Sequence, residues 1–269
     1  MKSILPVSAL AILASTFTPA FAAQDNPLLD RGSWPELRED IAGNAPLHDG
    51  KDIFEVAAPY RAHDAATVPV VITQKEGAPD IRQAMIVIDE NPAPVAAEIT
   101  FSDAMMPLDF ETRIRVDQYS NVRVLAETDQ GSYMQGRFVK ASGGCSAPAT
   151  KDMEVALATM GQMRLKHFGD APAMSNARRE AQIMIRHPNY SGLSRDQITH
   201  LFINAHFIHD LEVFQGDDLL FRIEGGISIS ENPVFRFHYR DNGAATFRIK
   251  ASDTEGNVFE QELAKDVAS

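Results

Sequence analysis

One cysteine, Cys145, lies in the run Ala141-Ser142-Gly143-Gly144-Cys145-Ser146-Ala147-Pro148-Ala149, which holds small residues, two adjacent glycines and no large apolar anchor. A thiolate is a nucleophile and a metal ligand, so a lone thiol has three chemical fates besides burial. It can stay free, pair with another chain or carry a group, because no internal disulfide is open to it. The inert alternative is a buried cysteine acting as a small apolar side chain. Gly143 and Gly144 widen the backbone conformations available, and Pro148 disfavours helix before it, so the run reads as a mobile handle with a solvent-reachable sulfur. Held at both ends, a loop from about 141 to 149 can lift its tip on the order of 15 Å. Nothing in the run supplies a fixed base, and the only feature nearby that could lower the thiol pKa is the start of the next helix. At its ordinary value of about 8.5 the thiol would be a few per cent ionised at neutral pH, which suits a group that a partner enzyme activates. No acid–base or nucleophile–base pair can be named, so the chain reads as a non-enzyme. No haem-attachment CxxCH, phosphate loop or dinucleotide fingerprint occurs, so no cofactor is expected and redox chemistry falls to partners.

Three histidines, His200, His206 and His209, invite a copper or zinc site. On a regular strand His206 and His209 would point to opposite faces, and His200 would lie about 20 Å from His206, so no metal site is expected from them. Met105-Met106 and the methionines after residue 150 read as gap-filling core residues rather than soft copper ligands. His187-Pro188 reads as a turn or strand end.

The elements that must position the cysteine read as mostly β. Ser33-Trp34-Pro35-Glu36 has capping-box spacing, and Trp34, Leu37 and Ile41 share a helical face ended by Gly43. Period-two runs then predict strands over 68–73, 84–88, 96–101, 112–116, 122–127 and 133–140, separated by turns such as Glu90-Asn91-Pro92 and Asp129-Gln130-Gly131. Over 150–169, Met153, Leu157, Met160 and Arg164 fall at helical spacing, which predicts a linker helix. Strands follow over 180–186, 207–214, 219–223, 234–239, 246–251 and 258–263. Short, evenly punctuated strands of this kind predict an all-β chain of two antiparallel sandwiches, joined by the cysteine loop and the helix.

The N-terminus reads as an export signal over residues 1–22: Lys2, an apolar stretch from Ile4 to Phe17, and Ala20-Phe21-Ala22 as the small-x-small site, with cleavage after Ala22. That stretch is short of the roughly 20 residues needed to span a bilayer, so a periplasmic protein without a membrane anchor is expected. A net charge of −12 argues against a nucleic-acid partner, since phosphate binding needs a basic face and none is visible.

These residues resemble the SoxYZ sulfur-carrier complex of periplasmic thiosulfate oxidation, in a single polypeptide. The first half resembles SoxY through Ala58-Pro59-Tyr60-Arg61-Ala62, Val68-Pro69-Val70, Glu90-Asn91-Pro92-Ala93-Pro94, Thr112-Arg113-Ile114-Arg115-Val116 and the Val139-Lys140 strand running into Gly143-Gly144-Cys145. The second resembles SoxZ through His187-Pro188, Phe202-Ile203, Leu211-Glu212-Val213, Ser228-Ile229-Ser230-Glu231-Asn232-Pro233 and Phe235-Arg236-Phe237. The resemblance implies two immunoglobulin-like sandwiches paired within the chain, 23–149 and 173–269, flanking a linker over 150–172. It implies Cys145 as the covalent attachment point for sulfur intermediates, and periplasmic redox enzymes of sulfur oxidation as partners. Fused chains of this kind are also known as carriers associated with quinoprotein dehydrogenases, whose cargo the family name does not establish, and this chain is similar to those, which implies dehydrogenase components as alternative partners. The family arm typically ends its chain, whereas here Ser146-Ala147-Pro148 and a whole domain follow, which shortens the arm's reach.

Overall fold

Strict alternation drives the chain into strands: along Val68–Gln74 and Thr246–Asp253 every second side chain is buried. The computed structural model describes residues 32–147, 153–168, 178–196 and 199–265. The export signal expected over residues 1–22 lies outside them, as do Pro148 and Ala149 of the cysteine loop.

The first half comprises α1 (Trp34–Ala42), β1 (Leu47–Asp49), β2 (Phe54–Ala57), β3 (Val68–Gln74), β4 (Gln83–Ile88), β5 (Val95–Phe101), β6 (Asp109–Ile114), β7 (Ser120–Thr128) and β8 (Gly131–Val139). The second comprises α2 (Met153–Ala158), β9 (Met163–Phe168), β10 (Arg178–Ile185), β11 (Ile208–Gln215), β12 (Asp218–Gly225), β13 (Val234–Arg240), β14 (Thr246–Asp253) and β15 (Val258–Ala264). The chain is all-β, as the alternation predicts, and its two halves are the immunoglobulin-like domains that the resemblance implies.

The two sandwiches share their sheets. A nine-stranded sheet runs β1-β8-β7-β4-β5-β12-β11-β14-β15 and a six-stranded sheet runs β2-β3-β6-β13-β10-β9, so each half supplies one flank of both layers. The seam is antiparallel in each layer, from Phe101↔Phe221 to Ala97↔Gly225 between β5 and β12, and from Thr112↔Phe235 to Phe110↔Phe237 between β6 and β13. Phe110 locks the seam from inside, its ring 5.4 Å from both Phe101 and Phe221 and 6.3 Å from Phe235. Edge-to-face contacts of this kind add about 0.5–1.5 kcal/mol each beyond area burial.

Three expectations are corrected. Ser33 makes no capping bond; its hydroxyl donates to Glu90 Oε2 at 2.8 Å, so it ties α1 to the β4–β5 turn. That helix is seated by Trp34, fully buried, whose ring lies 4.2 Å from the Arg123 guanidinium, itself paired with buried Asp89 at 2.8 Å. Among the described residues of the predicted helical linker over 150–172, only six-residue α2 is helical. A turn follows it, in which Gly161 takes φ +81° where a Cβ would fall 2.1 Å from the Phe259 ring, and Met163 onward becomes β9, hydrogen-bonded to β10. The strand predicted to reach Val116 leaves its ladder at Ile114, freeing Arg115, Val116 and Asp117 for other partners.

Candidate functional site

Where β6 lets go, the cysteine segment takes its place. Gly143 N–H donates to Asp117 O at 2.8 Å and Gly144 N–H to Val116 O at 3.0 Å, while Cys145 N–H reaches Asp117 Oδ1 at 3.3 Å. Val116 N–H in turn donates to Ala65 O at 2.8 Å. Gly144 lies so close to this backbone that a Cβ would sit 2.1 Å from Ala65 O and 2.7 Å from Val116 O.

The expected mobile handle is therefore corrected on two counts. Gly144 serves close approach rather than freedom, although Gly143, at φ +77°, does use a conformation that favours glycine. Cys145 has 0% exposure, so its thiol is not reachable by solvent in this arrangement. It nevertheless belongs to neither of the packed apolar clusters, and its two near neighbours Ser142 and Ser146 are exposed.

The surroundings are polar and come from both halves. Arg115, 5% exposed, spreads its guanidinium over three carbonyls: Nη1 to Gly144 O at 3.3 Å, Nη2 to Asn189 O at 3.1 Å and Nε to Ile229 O at 3.3 Å. Ser228 lies against the thiol, and its hydroxyl donates to Ala93 O at 2.7 Å while accepting from Asn91 Nδ2 at 3.0 Å. Asn91 also donates to Arg115 O at 2.8 Å and accepts from Asp117 N–H at 2.8 Å. From the second half, the Ser191 hydroxyl donates to Cys145 O and the Ser194 hydroxyl donates to Ala147 O at 2.8 Å.

Burial, reinforced by the Asp117 carboxylate, pushes the Cys145 thiol up to about 11, against the smaller opposing pull of Arg115 and the Ser228 hydroxyl. A thiol so tuned is protonated and chemically quiet. The expectation of a near-ordinary, partly ionised thiol does not hold for this closed arrangement, because it assumed solvent contact.

The histidines sort differently from their sequence spacing. His209 is exposed on β11 and His200 is exposed, but His206 is buried and meets two residues the spacing argument did not group with it, His187 and Asp253. His206 Nε2 lies 2.7 Å and His187 Nε2 3.3 Å from Asp253 Oδ2. Their ligand atoms all fall within 4.8 Å of one another, and imidazole with carboxylate is a zinc or copper donor set. However, Asn189 N–H donates to His187 Nδ1 at 3.0 Å, which places the imidazole proton on Nε2, the very atom that would face an ion. Asp253 is also saturated by Asn257 Nδ2 at 2.8 Å and by the N–H groups of Glu255 and Asn257 at 3.0 and 2.9 Å. The trio therefore reads as a hydrogen-bonded clamp. Burial pushes His187 down in pKa. For Asp253 burial opposes ionisation, but the bonds from Asn257, His206 and His187 outweigh it and hold the carboxyl well below the usual range.

The clamp leads to the cysteine. Asn189, buried with φ 42°, donates from Nδ2 to Ser230 O at 3.1 Å, accepts at Oδ1 from Ile208 N–H at 3.1 Å, and offers its carbonyl to Arg115. His187-Pro188 does end a strand as predicted, since β10 stops at Ile185, but it also starts the loop that grips the cysteine segment. Arg115, Asp117, Asn189, Ser191, Ser194 and Ser228 were not named as site residues from sequence. Two of them, Arg115 and Ser228, fell within blocks that carried the family resemblance. Met105 and Met106 are buried in the core, as expected. A groove of about 300 Å³ between the end of α1 and the sheet is lined by Met85, Leu125, Glu98 and Glu224 among others, and does not include Cys145.

Comparison with protein families matches residues 38–145 to the sulfur oxidation protein SoxY and residues 169–264 to the sulphur oxidation protein SoxZ. No curated protein matches the chain. The first match ends on Cys145 itself, and the residues enclosing that cysteine are drawn from both matched regions. Carrying both domains on one polypeptide, with their sheets hydrogen-bonded into each other, the chain belongs to the SoxYZ sulfur-oxidation family as a fused SoxYZ-like carrier.

Proposed function

We propose that the chain is exported to the periplasm, holds a sulfur intermediate covalently on Cys145 and presents it to partner redox enzymes. Support comes from the family and from the niche: the lone thiol stands apart from the apolar core, among polar groups, on a segment that rejoins exposed positions at Ser142 and Ser146. Loading with thiosulfate would follow RSH + S₂O₃²⁻ → RS–S–SO₃⁻ + H⁺ + 2e⁻, with RSH standing for Cys145. The new bond joins Sγ to the terminal sulfur, and the two electrons must pass to a partner redox protein. The thiol has to leave its closed position for this to happen.

The full burial of Cys145 favours a second reading, a docking module that assists a quinoprotein dehydrogenase system and carries nothing. Intact-mass measurement on protein from its native periplasm separates the two. The carrier reading expects adducts that reductant removes and that Cys145→Ser lacks. Bare mass under all growth conditions, with Cys145→Ser retaining the biological phenotype, selects the docking module.

A further inference from the structure

We propose that the loop from His187 to Ser194 is a fixed clasp that holds the segment of unloaded Cys145 against it, and that this segment comes away from the clasp when the sulfur carries a group. This rests on the reading of Cys145 as a loading site and assigns its regulation to named residues of the other domain.

Space is the first argument. Cys145 has no exposed surface, and Gly144 is pressed against the carbonyls of Ala65 and Val116, so the segment cannot retreat inward to make room. Any group added to Sγ moves the segment outward. That movement breaks the bonds of Gly143, Gly144 and Cys145 to Val116 and Asp117, along with those from Ser191 and Ser194.

The second argument is which side yields. The clasp is fixed: Asn189 holds Ser230 and Ile208, His187 is tied to Asp253, and Tyr190 exchanges backbone bonds with His206 at 2.8 and 3.0 Å. The cysteine segment is held to it by two serine hydroxyls and one arm of Arg115, all reaching backbone carbonyls. Within the clasp the buried Tyr190 hydroxyl has no hydrogen-bond partner among the described residues, so among these the closed form leaves one polar group unsatisfied. A fixed jaw and a lightly held strap make a two-state element that attached cargo biases toward open.

Methyl methanethiosulfonate provides the smallest load. The Cys145 sulfur attacks the sulfenyl sulfur, an S–S bond forms, methanesulfinate leaves and the thiol proton passes to buffer. Amide hydrogen exchange of the full chain, read by mass spectrometry over 141–147, is compared with and without the methylthio group. The expected result is at least tenfold faster exchange at Gly143, Gly144 and Cys145 in the loaded protein, with the strands of both sheets unchanged. Ser191→Ala with Ser194→Ala should speed exchange of this segment in the unloaded protein by about tenfold, from the loss of two ordinary hydrogen bonds. Loaded protein exchanging as slowly as bare protein overturns the proposal, and a double variant indistinguishable from wild type overturns the clasp assignment. If the double variant does not fold, the loaded wild type still decides. Because loading is chemical, these outcomes are independent of whether native protein bears an adduct.

Discussion

The buried thiol should betray itself in the pH profile of its alkylation. Burial pushes the Cys145 thiol up to about 11, against about 8.5 to 9 for a solvated cysteine, so folding weakens its acidity by about 100-fold or more. Below pH 9 the thiolate fraction of the folded chain is then about 100-fold lower, equivalent to about 2.7 kcal/mol. The raised value means that folding favours the protonated form, so this contribution is fully present below pH 9 and disappears as pH rises through 11. Iodoacetamide labelling followed by intact mass reports Cys145 alone, because the chain has no other cysteine. Urea-unfolded protein should label at a rate that levels off near pH 9. Folded protein should label about 100-fold more slowly at pH 8 and keep gaining tenfold per pH unit up to about pH 10.5. The same slope is expected whether the reagent enters the closed niche or waits for it to open, since ionisation and opening are coupled. Folded labelling within threefold of the unfolded rate at pH 8, levelling off by pH 9, would refute the sheltered thiol and the electrostatics assigned to it.

Gly144→Ala drives a methyl into the Ala65 carbonyl and should cost about 1–3 kcal/mol, seen as a lower melting temperature together with faster Cys145 labelling; normal melting with unchanged labelling would contradict the packing. Arg123→Met strands the buried Asp89 carboxylate and should cost about 3–5 kcal/mol in denaturant titration, while adding Asp89→Leu should recover much of it. Acid should destabilise the chain in two windows. His187 is held neutral, so stability falls as pH drops below about 6.5, and Asp253 is held ionised, so a further loss follows below about pH 4. His187→Gln should flatten the upper window in melts across pH 7 to 5, and an unchanged slope would argue against the clamp.

Much of the fold was legible because a period of two is a strong local signal wherever one face is buried. Val68–Gln74 and Thr246–Asp253 alternate cleanly, and the strands predicted there formed. The failure after residue 150 has a specific cause. Met160 and Arg164 suit a helical spacing, but Met163 and Leu165 also suit alternation, and Gly161 settles the matter through its left-handed backbone against Phe259. The shared sheets could not be read at all, since pairing β5 with β12 joins residues more than a hundred positions apart. At the cysteine the ambiguity was chemical. Adjacent glycines signify either freedom or contact, and only the position of the Ala65 carbonyl tells which applies to Gly144. The histidine trio was missed because His187 and Asp253 are brought to His206 by three separate segments of the second domain.

The continuous seam also changes what the covalent fusion accomplishes. Two antiparallel ladders and the Phe110 cluster bind the halves directly to each other, apart from the connecting peptide. A two-chain version of such an assembly would dissociate on dilution into halves with bare β5, β6, β12 and β13 edges, ready templates for aggregation. Joined in one chain, the partners meet at a fixed local concentration and always in equal number. Assembly thereby becomes part of folding, indifferent to how dilute the surrounding compartment becomes.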